Sequence, residues 1–344
     1  MRDDLVAALC SMPRTKLLLT GNTQNLPKGA AAQIIAQAMP DAALAAGYFV
    51  HFSPDALLWS GTLPPQRLAE QLAQAAIPAA LFNLSAADLG ARRQRRNLAA
   101  QIAGFSNVFC ADKIAFDQLR SLGGLAPALQ LTGPMHPMVR LPDDEPAIRK
   151  SLSQRLAGHP VWAALGVTVE NLPILAAAQV HARRAAPGLV MLLVPAAGGD
   201  AAALKAKFSA LNIQAAAMDA SAIHPGALML APDQAALAAR LAPVAVLAES
   251  LLAPGAQFSP LVPANLGAAL IHGPHFGAFR ADFERLQNAR ASHGLAENIA
   301  LGAALVGLLR PDAAARLATS AWSMLSETAE TVGALATLCT ERAG

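Results

Sequence analysis

A chain of 344 residues is too long for one ordinary hydrophobic core, so two domains are expected, and a formal net charge of only +3 gives no pointer to nucleic acid. Hydrophobic residues make up 54% but aromatics only 4%, so much of the apolar content is alanine, and 24 Gly and 24 Pro punctuate it; this excludes a disordered chain and fits a helix-rich α/β protein. The mean hydropathy of +0.37 would suit a membrane protein, yet the apolar stretch 299–309 is about half of the roughly 20 residues a spanning helix needs, and Arg310-Pro311 ends it.

Short apolar runs alternate with amphipathic ones along the chain, the pattern of parallel sheets with covering helices. Residues 16–20 predict a strand ending in the polar turn Gly21-Asn22-Thr23-Gln24-Asn25, with a helix over 28–39 behind it. A strand over 56–59, a helix over 66–75 after Pro64-Pro65, a strand over 79–83 and an Arg-rich helix over 88–104 come next. Strands over 107–111 and 128–132, separated by a helix ending at Gly123-Gly124, complete one doubly wound unit. The charged, proline-flanked residues 142–160 read as largely helical and carry the boundary, giving domains 1–145 and 146–344, with the last helix crossing back. A second series follows: strand 161–164, helix 171–185, strand 189–194, helix 201–211, strands 227–230, 244–247 and 269–272, and three closing helices, the last over 311–338. Two Rossmann-like units in series imply a ligand cleft between them, at the C-terminal ends of the strands.

Several function classes fall away on motif grounds. No Gly-x-Gly-x-x-Gly follows the first strand and there is no P-loop, which argues against a dinucleotide enzyme or an ATPase. Cys10, Cys110 and Cys339 are odd in number and far apart, which suits neither a disulfide framework nor a metal knuckle and suggests a reducing compartment. His272 and His275 are spaced too loosely to predict a metal site, and no cofactor is implied. No charged start with an apolar middle and a small-residue cleavage site opens the chain, so secretion is not expected. The one local charge excess, Arg92-Arg93-Gln94-Arg95-Arg96, reads either as a solvated helix face or as a patch for anionic head groups or an acidic substrate.

A set of segments in fixed order then becomes informative. They are Leu17-Leu18-Leu19-Thr20-Gly21-Asn22-Thr23, Pro54-Asp55 with Leu63-Pro64, Phe82-Asn83-Leu84-Ser85, Gln118-Leu119-Arg120-Ser121-Leu122-Gly123 and Leu131-Thr132-Gly133. In the second half they are Pro160-Val161-Trp162-Ala163-Ala164, Leu192-Leu193-Val194-Pro195, Ser259-Pro260-Leu261-Val262-Pro263-Ala264-Asn265-Leu266-Gly267, Gly273-Pro274-His275 and Phe279-Arg280. Together these resemble the bacterial 3-deoxy-D-manno-octulosonic acid (Kdo) transferases, which attach Kdo to lipid A from the donor CMP-Kdo, over about residues 15 to 335. The resemblance implies a GT-B fold of two Rossmann-like doubly wound domains facing a central cleft. It implies CMP-Kdo or another nucleotide sugar on the C-terminal side and a lipid A precursor on the N-terminal side. It also implies a cytoplasmic protein working at the inner face of the inner membrane, with peripheral contact to anionic lipid through Arg92–Arg96 and no nucleic-acid partner.

Carried over residue by residue, the donor side maps to Pro195, Ala196, Gln234, Ala235, Ala236, Ser259, Pro260, Leu261, Val262, Gly273 and His275, and the acceptor side to Thr20, Gly21, Asn22, Thr23 and Asn83. The chemistry asks for a base on the acceptor hydroxyl and for cations or helix amides around the donor phosphate. Here the chain departs from the family. The turn carrying the family's basic glutamate would fall upstream of Met1 or is lost with the first strand, and nearby Asp3 and Asp4 read as solvated charges. Pro195-Ala196-Ala197 stands for the family's Pro-Arg-His, Gln234-Ala235-Ala236 for Met-Gly-Glu, and Ala256 to Pro263 for Gly-Gly-His-Asn-Pro-Leu-Glu-Pro. Gly61 and Leu63 occupy the places of its paired glutamates. His136 stands where the family has a lysine and is the one catalytic candidate, while Glu170 and Glu249 are the acidic residues placed to substitute for the base. What survives, Pro260, Pro263 and Gly267, shapes a turn into a helix whose amides could receive a phosphate. Two functions follow: a working or altered Kdo transferase, and a non-catalytic paralogue that keeps the fold as a binding or partner surface. A nucleotide-sugar epimerase is a third, weaker reading, since the acidic pair and donor-side arginine it needs are missing.

Overall fold

Every strand pairing in the structure, a computed structural model, is parallel, as expected where each strand returns through a helix. The structure describes residues 2–10, 17–20, 34–37, 51–75, 77–90, 97–123, 127–136, 138–211, 213–218 and 226–340. The fold is α/β. The chain divides into one compact unit of Met1–Met138 with Ser326–Gly344 and a second of Val139–Leu325.

The first unit holds β1 (Leu17–Thr20) beside β2 (Ile34–Gln37), and a four-stranded sheet in the order β3 (Leu57–Ser60), β4 (Ala79–Leu84), β5 (Asn107–Cys110), β6 (Ala128–Leu131). β4 shows why the sheet is covered on both faces. Ala79 and Leu81 enter a core with Leu72, Leu98, Ile102 and Val108, whereas Ala80 and Phe82 face Leu5, Leu9, Met135, Val332 and Leu335, the period-two alternation of a strand. The second of these cores is closed by the Arg2–Cys10 helix, which the sequence pattern did not announce, and by the end of the final helix, Pro311–Thr340. Burial, with the Asp112 charge beside it, pushes the Cys110 thiol up to about 11, so this cysteine stays protonated and inert.

Two expectations for this unit need correction. The helix predicted over 28–39 gives way at Ile34–Gln37 to a strand, registered Leu17↔Ile34 through Thr20↔Gln37. The β-branched pair Ile34-Ile35 suits a strand, and pairing with β1 outweighs the helical propensity of the surrounding alanines. The long helix predicted from residue 88 is shorter: 86–89 form a turn in which the Asp88 carboxylate accepts from the Ser85 N–H (2.9 Å) and hydroxyl, and the helix occupies Leu98–Ile102. The Arg92–Arg96 run lies outside the described residues.

The second unit is a seven-stranded sheet in the order β13 (Ser292–Gly294), β12 (Ala269–His272), β11 (Val244–Leu247), β7 (Val161–Val167), β8 (Val190–Pro195), β10 (Ala227–Met229), β9 (Ala215–Ala217). The edge strands β9 and β13 are three residues each, too short to show as periodic runs in the sequence. β7 and β8 are buried along their whole length, which is why they read as unbroken apolar runs. Along β7, Val161, Ala163 and Leu165 enter one core and Trp162 and Ala164 the other, but Val167 joins Trp162's side. The alternation slips at Gly166, where the pairing with β8 steps from Leu165↔Val194 to Val167↔Pro195. That is a β-bulge, and Gly166 has φ +73°.

One buried polar network fastens this unit. The Trp162 indole donates to Gln179 Oε1 at 2.6 Å, and Gln179 Nε2 donates to the carbonyls of Leu189 (2.9 Å) and Gly226 (3.0 Å). The helix Leu172–Arg183 is thereby tied to the middle strand and to the entries of β8 and β10. Gln179→Leu keeps the volume but takes the partner from the Trp162 N–H and from the Leu189 carbonyl, while the Gly226 carbonyl still accepts the Met191 N–H (2.9 Å). With an unpaired buried group costing roughly 1–3 kcal/mol, it is expected to lower unfolding free energy by about 2–4 kcal/mol in urea titration, with the m-value unchanged.

Candidate functional site

The strand order of the second unit locates a candidate site before any side chain is considered. From β7 the chain moves outward to β8, on to the edge strand β9 and back in to β10 between them, then crosses to β11 on the other side of β7 and outward again through β12 to β13. Loops leaving the C-terminal ends of β7 and β11 therefore diverge, and ligands of doubly wound sheets bind at such a reversal. The two strands pair Val246↔Ala164 and Leu247↔Leu165, so the next residues of each meet just past the ladder.

Brought together there are Gly166, which follows Leu165, and Glu249, the second residue after Leu247. A Cβ on Gly166 would lie 2.5 Å from Glu249 Cγ and 2.7 Å from its Cδ, so a side chain there would make Glu249 shift, and the positive φ itself favours glycine. Glu249 sits in the 3₁₀ turn Ala248–Leu251 after β11, half-buried, and its Oε2 accepts the Gln257 N–H at 2.6 Å. Burial pushes its carboxyl up, and the Gln257 hydrogen bond draws it part of the way back. Ser250, fully buried, is a junction: its hydroxyl donates to the Leu247 carbonyl (2.5 Å) and accepts the Gly273 N–H (2.8 Å), while its carbonyl accepts the His275 N–H (3.0 Å).

The donor-side candidates fall along this same C-terminal edge, at the ends of β8, β10, β11 and β12. Pro195 is buried at the end of β8, and Ala196 donates its N–H to the Val167 carbonyl at 2.9 Å. Gln234 turns back on its own backbone, its Oε1 accepting the Ala231 N–H at 2.9 Å; Ala235 is half-buried and Ala236 buried. Ser259 donates to Asp282 Oδ2 (2.7 Å) and its oxygen accepts the Leu261 N–H (3.2 Å). Pro260 and Leu261 are buried and Val262 is half-buried. Gly273 has no room for a side chain, a Cβ there lying 2.3 Å from the Ser250 carbonyl oxygen. His275 is held by its main chain, receiving Ala256 N–H on its carbonyl at 3.2 Å.

At three helices of this edge, first-turn amides are bonded from within. In the five-residue helix Leu261–Asn265, Leu261 donates to Ser259 Oγ, Val262 to the Ser259 carbonyl (3.4 Å), and Pro263 has no N–H. Asp200 caps the Ala201–Ala210 helix, accepting from Ala202 and Ala203 at 2.8 and 3.1 Å. Before the Leu172–Arg183 helix, the Thr168 and Asn171 side chains and backbones bond one another, and Leu172 donates to the Thr168 carbonyl (3.1 Å). The phosphate-receiving turn expected from Pro260, Pro263 and Gly267 thus has its first-turn donors engaged.

The edge is also one-signed. Among the described residues, the loops after β7, β8, β10, β11, β12 and β13 carry Glu170, Asp200, Asp233, Glu249 and Glu297, and no Lys or Arg precedes Arg280 in the β12 loop. The Thr168 hydroxyl, with the local backbone, draws the exposed Glu170 below the usual carboxylate range. His272 adds no cation. It is buried between Phe276 and Phe283 at centroid distances of 5.6 and 4.9 Å, and burial lowers its pKa, His293 adding to the effect and the Gly273 hydrogen bond opposing it. Since a carbonyl can only accept, its Nδ1 carries the proton toward the Gly273 carbonyl (2.9 Å), leaving Nε2 to accept from Ser292 (3.2 Å).

In the first unit, Asn83 adopts φ +57°, and its Oδ1 accepts the Met135 N–H at 3.0 Å, which ties the end of β4 to the 132–136 segment. His136, half-buried, donates its N–H to Thr328 Oγ1 at 3.4 Å. Thr20 ends β1, paired with Gln37. Gly21, Asn22 and Thr23 lie outside the described residues. Sequence reasoning singled out Glu249 but not Gly166 or Ser250. A glycine inside an apolar strand run is the signal that marks the first.

No protein-family model matches the chain, and no curated protein matches it by sequence. Solved structures do match. The C-terminal CMP-Kdo binding domain of WaaA from Acinetobacter baumannii is similar over 53% of this chain and 99% of its own, at 19% identity and a TM-score of 0.47. UDP-GlcNAc 2-epimerase from Neisseria meningitidis, bound to UDP-GlcNAc, is similar over 97% and 95% at 11% identity and a TM-score of 0.42. A glycosyltransferase from Rickettsia africae is similar over 99% and 94% at 10% identity and a TM-score of 0.43. At this distance the function has to be read from the chain's own residues.

The Glu249 site makes a pH-dependent prediction. Because its pKa is raised in the fold, the neutral acid is favoured there, and the stability it lends is present below the ordinary value of 4.5 and lost as pH rises through the raised value. Glu249→Gln is therefore expected to melt higher than the parent at pH 7, with the difference shrinking as the pH is lowered past 4.5. Thermal unfolding by circular dichroism across pH 4 to 8 measures the gap; a gap that widens in acid would contradict the assignment.

Proposed function

We propose that this chain is a glycosyltransferase-like protein of the Kdo transferase kind, with a GT-B arrangement of its two units. In this reading residues 139–325 engage a nucleotide sugar, CMP-Kdo or a close analogue, and the other unit addresses a lipid A precursor. The observation that carries it is the reversal between β7 and β11, where the loops resembling the family's donor segments, at Pro195, Ser259–Val262 and Gly273–His275, come to one edge of one parallel sheet. Of the acceptor-side residues, Asn83 serves as a left-handed corner that positions the 132–136 segment, and His136 stands nearby as the catalytic candidate.

A second reading, a non-catalytic paralogue, has its own support. Pro195-Ala196-Ala197 offers no cation, and the amides of Ala202, Ala203 and Leu261 at two helix starts are bonded internally. Losing a general base costs about 10²- to 10⁴-fold, and losing one electrostatic donor roughly 10²- to 10³-fold. Transfer by this chain is accordingly expected at a rate at least about a hundredfold below that of a family member with those groups intact.

Calorimetric titration with CMP, followed by a CMP-Kdo consumption assay with a lipid A precursor, separates these readings. Heat on CMP addition with slow transfer supports the transferase-like protein. Heat without transfer supports the paralogue, and no heat up to millimolar CMP rules out a surviving donor site. No described helix is long and apolar enough to cross a membrane, so contact with the inner face of the inner membrane is proposed to be peripheral, through Arg92–Arg96. Replacing those four arginines with Ser is expected to weaken co-sedimentation with anionic vesicles by about tenfold, each basic residue contributing roughly 1 kcal/mol at most near such a surface; unchanged binding removes the patch from the account.

A further inference from the structure

We propose that the open edge of β6 is an interface between two copies of this chain, which join their four-stranded sheets by antiparallel pairing of β6 with β6 about a two-fold axis. The inference goes beyond the nucleotide-sugar reading and does not depend on it. β6 is the last strand of its sheet, and among the described residues no strand pairs with its far side. The register with β5 shows which groups are left over. The Ala128 N–H donates to the Ser106 carbonyl (2.9 Å) and the Thr132 N–H to the Cys110 carbonyl (3.1 Å). By the period of two, the main chains of Leu129 and Leu131 therefore point outward. Edges are ordinarily blunted by charge, proline, a bulge or shortness. β9 and β13 are only three residues long, whereas β6, Ala-Leu-Gln-Leu, has four uncharged residues, no proline and an even register with β5.

The surface beside this edge is apolar and exposed. Leu131 is 48% exposed, and on the helix Lys113–Ser121, which rests against both β5 and β6, Ile114 is 61% exposed and the C-cap Leu122 40%. Lone exposed aliphatic residues are ordinary, but three gathered along an unpaired strand mark a contact surface. Symmetry argues that a second copy covers it. A strand edge is its own complement under a two-fold rotation, each outward N–H meeting an outward carbonyl, and an uncharged strand sets no like charges against each other. The helix runs back against the strands, so Ile114 stands toward the Leu131 end of β6 and Leu122 toward the Ala128 end. The axis thus brings Ile114 toward the partner's Leu122 and Leu122 toward the partner's Ile114. Gln118 lies midway, four residues from each, and its Oε1 is buried without a hydrogen-bond donor. An amide both donates and accepts, so two copies meeting there can satisfy each other. With paired strands about 4.8 Å apart and each helix set roughly half a spacing back from its edge, the two helices come to about 10 Å, a normal packing distance. An extended segment of another protein could match the backbone, but it offers no symmetric partner to Gln118.

Sedimentation equilibrium of the full chain tests this. The mass is expected to rise from 35.4 kDa toward twice that value, with a dissociation constant on the order of 10–100 µM, as suits a short strand with a small apolar flank. Hydrogen exchange on the same samples should show the Leu129 and Leu131 amides slowing by about fivefold as the dimer fills, and the already bonded Ala128 and Thr132 amides changing less. Leu131→Pro removes an outward N–H without taking a bond from β5, and Leu131→Lys places a charge on the edge. Each is expected to weaken dimerisation by at least about tenfold with the circular dichroism unchanged. Ile299→Ser, at a site 89% exposed in the other unit, should leave it within about twofold. A chain that stays at 35.4 kDa up to several hundred µM, a dimer that both Leu131 variants leave intact, or one that Ile299→Ser weakens equally overturns the proposal. Should neither Leu131 variant fold, exchange that slows elsewhere and not at Leu129 and Leu131 overturns it from the parent alone. None of these results touches the nucleotide-sugar reading.

Discussion

The second unit is organised around a single steric fact, that β7 carries a residue without a side chain where β11 delivers a carboxylate. Gly166 at φ +73° inserts an extra residue into β7, and the bulge turns Val167 toward the opposite core from the one its odd-numbered predecessors occupy. Glu249 fills the space so made and takes up the Gln257 N–H, while the next residue, Ser250, bonds to Leu247, Gly273 and His275. The loops after β11 and β12 are thus joined through the bonds of Ser250. Any larger residue at 166 would collide with Glu249 and demand a backbone conformation that side chains resist.

Sheet geometry and site chemistry pull apart at this edge. A doubly wound sheet presents helix N-termini at its C-terminal edge, and the partial positive charge there ordinarily suits anions. At three helices of this chain first-turn amides are bonded internally: Asp200 accepts from Ala202 and Ala203, the Thr168 carbonyl from Leu172, and Ser259 from Leu261 and Val262. The remaining charged groups in the described loops are carboxylates up to Arg280. The sheet keeps a doubly wound strand order, while the Asp and Glu side chains described along its C-terminal edge are acceptors. Fold and site answer to different physical demands, since packing needs apolar volume and turn geometry, whereas anion binding needs positive charge.

The final helix, Pro311–Thr340, shows the same economy of use. Ala321 and Met324 pack into one core, and Val332, Leu335 and Ala336 into another, so one element serves the hydrophobic needs of both units. Alanine makes this workable. Strands such as Ala79–Leu84 and Val161–Val167 carry both small and large residues on their two faces, so the covering helices pack around a few buried aromatics such as Trp162, Phe208 and Phe283.

Much of the fold was legible because its signals are local. Apolar runs at Val190–Pro195 and Val244–Leu247, and the amphipathic stretch Gln66–Ala75 after two prolines, each state their conformation within a few residues. The ordered segments from Leu17 to Arg280 carried the family resemblance in the same way. What the sequence left open depends on residues far apart in the chain. The strand at Ile34–Gln37 exists through pairing with β1 and overrides a helix-like composition; β9 and β13 are held by neighbours rather than by a pattern of their own. Pro260, Pro263 and Gly267 announced a turn into a helix, and Ser259 engages its first amides locally, but only the folded chain brought Asp282 to the Ser259 hydroxyl. Glu249 could be named from the sequence as an acidic residue beside a matching segment. Its place over Gly166, 83 positions earlier by residue number, was decided by the order of strands in the sheet, because a crossover connection sets neighbours in space that no local period can encode.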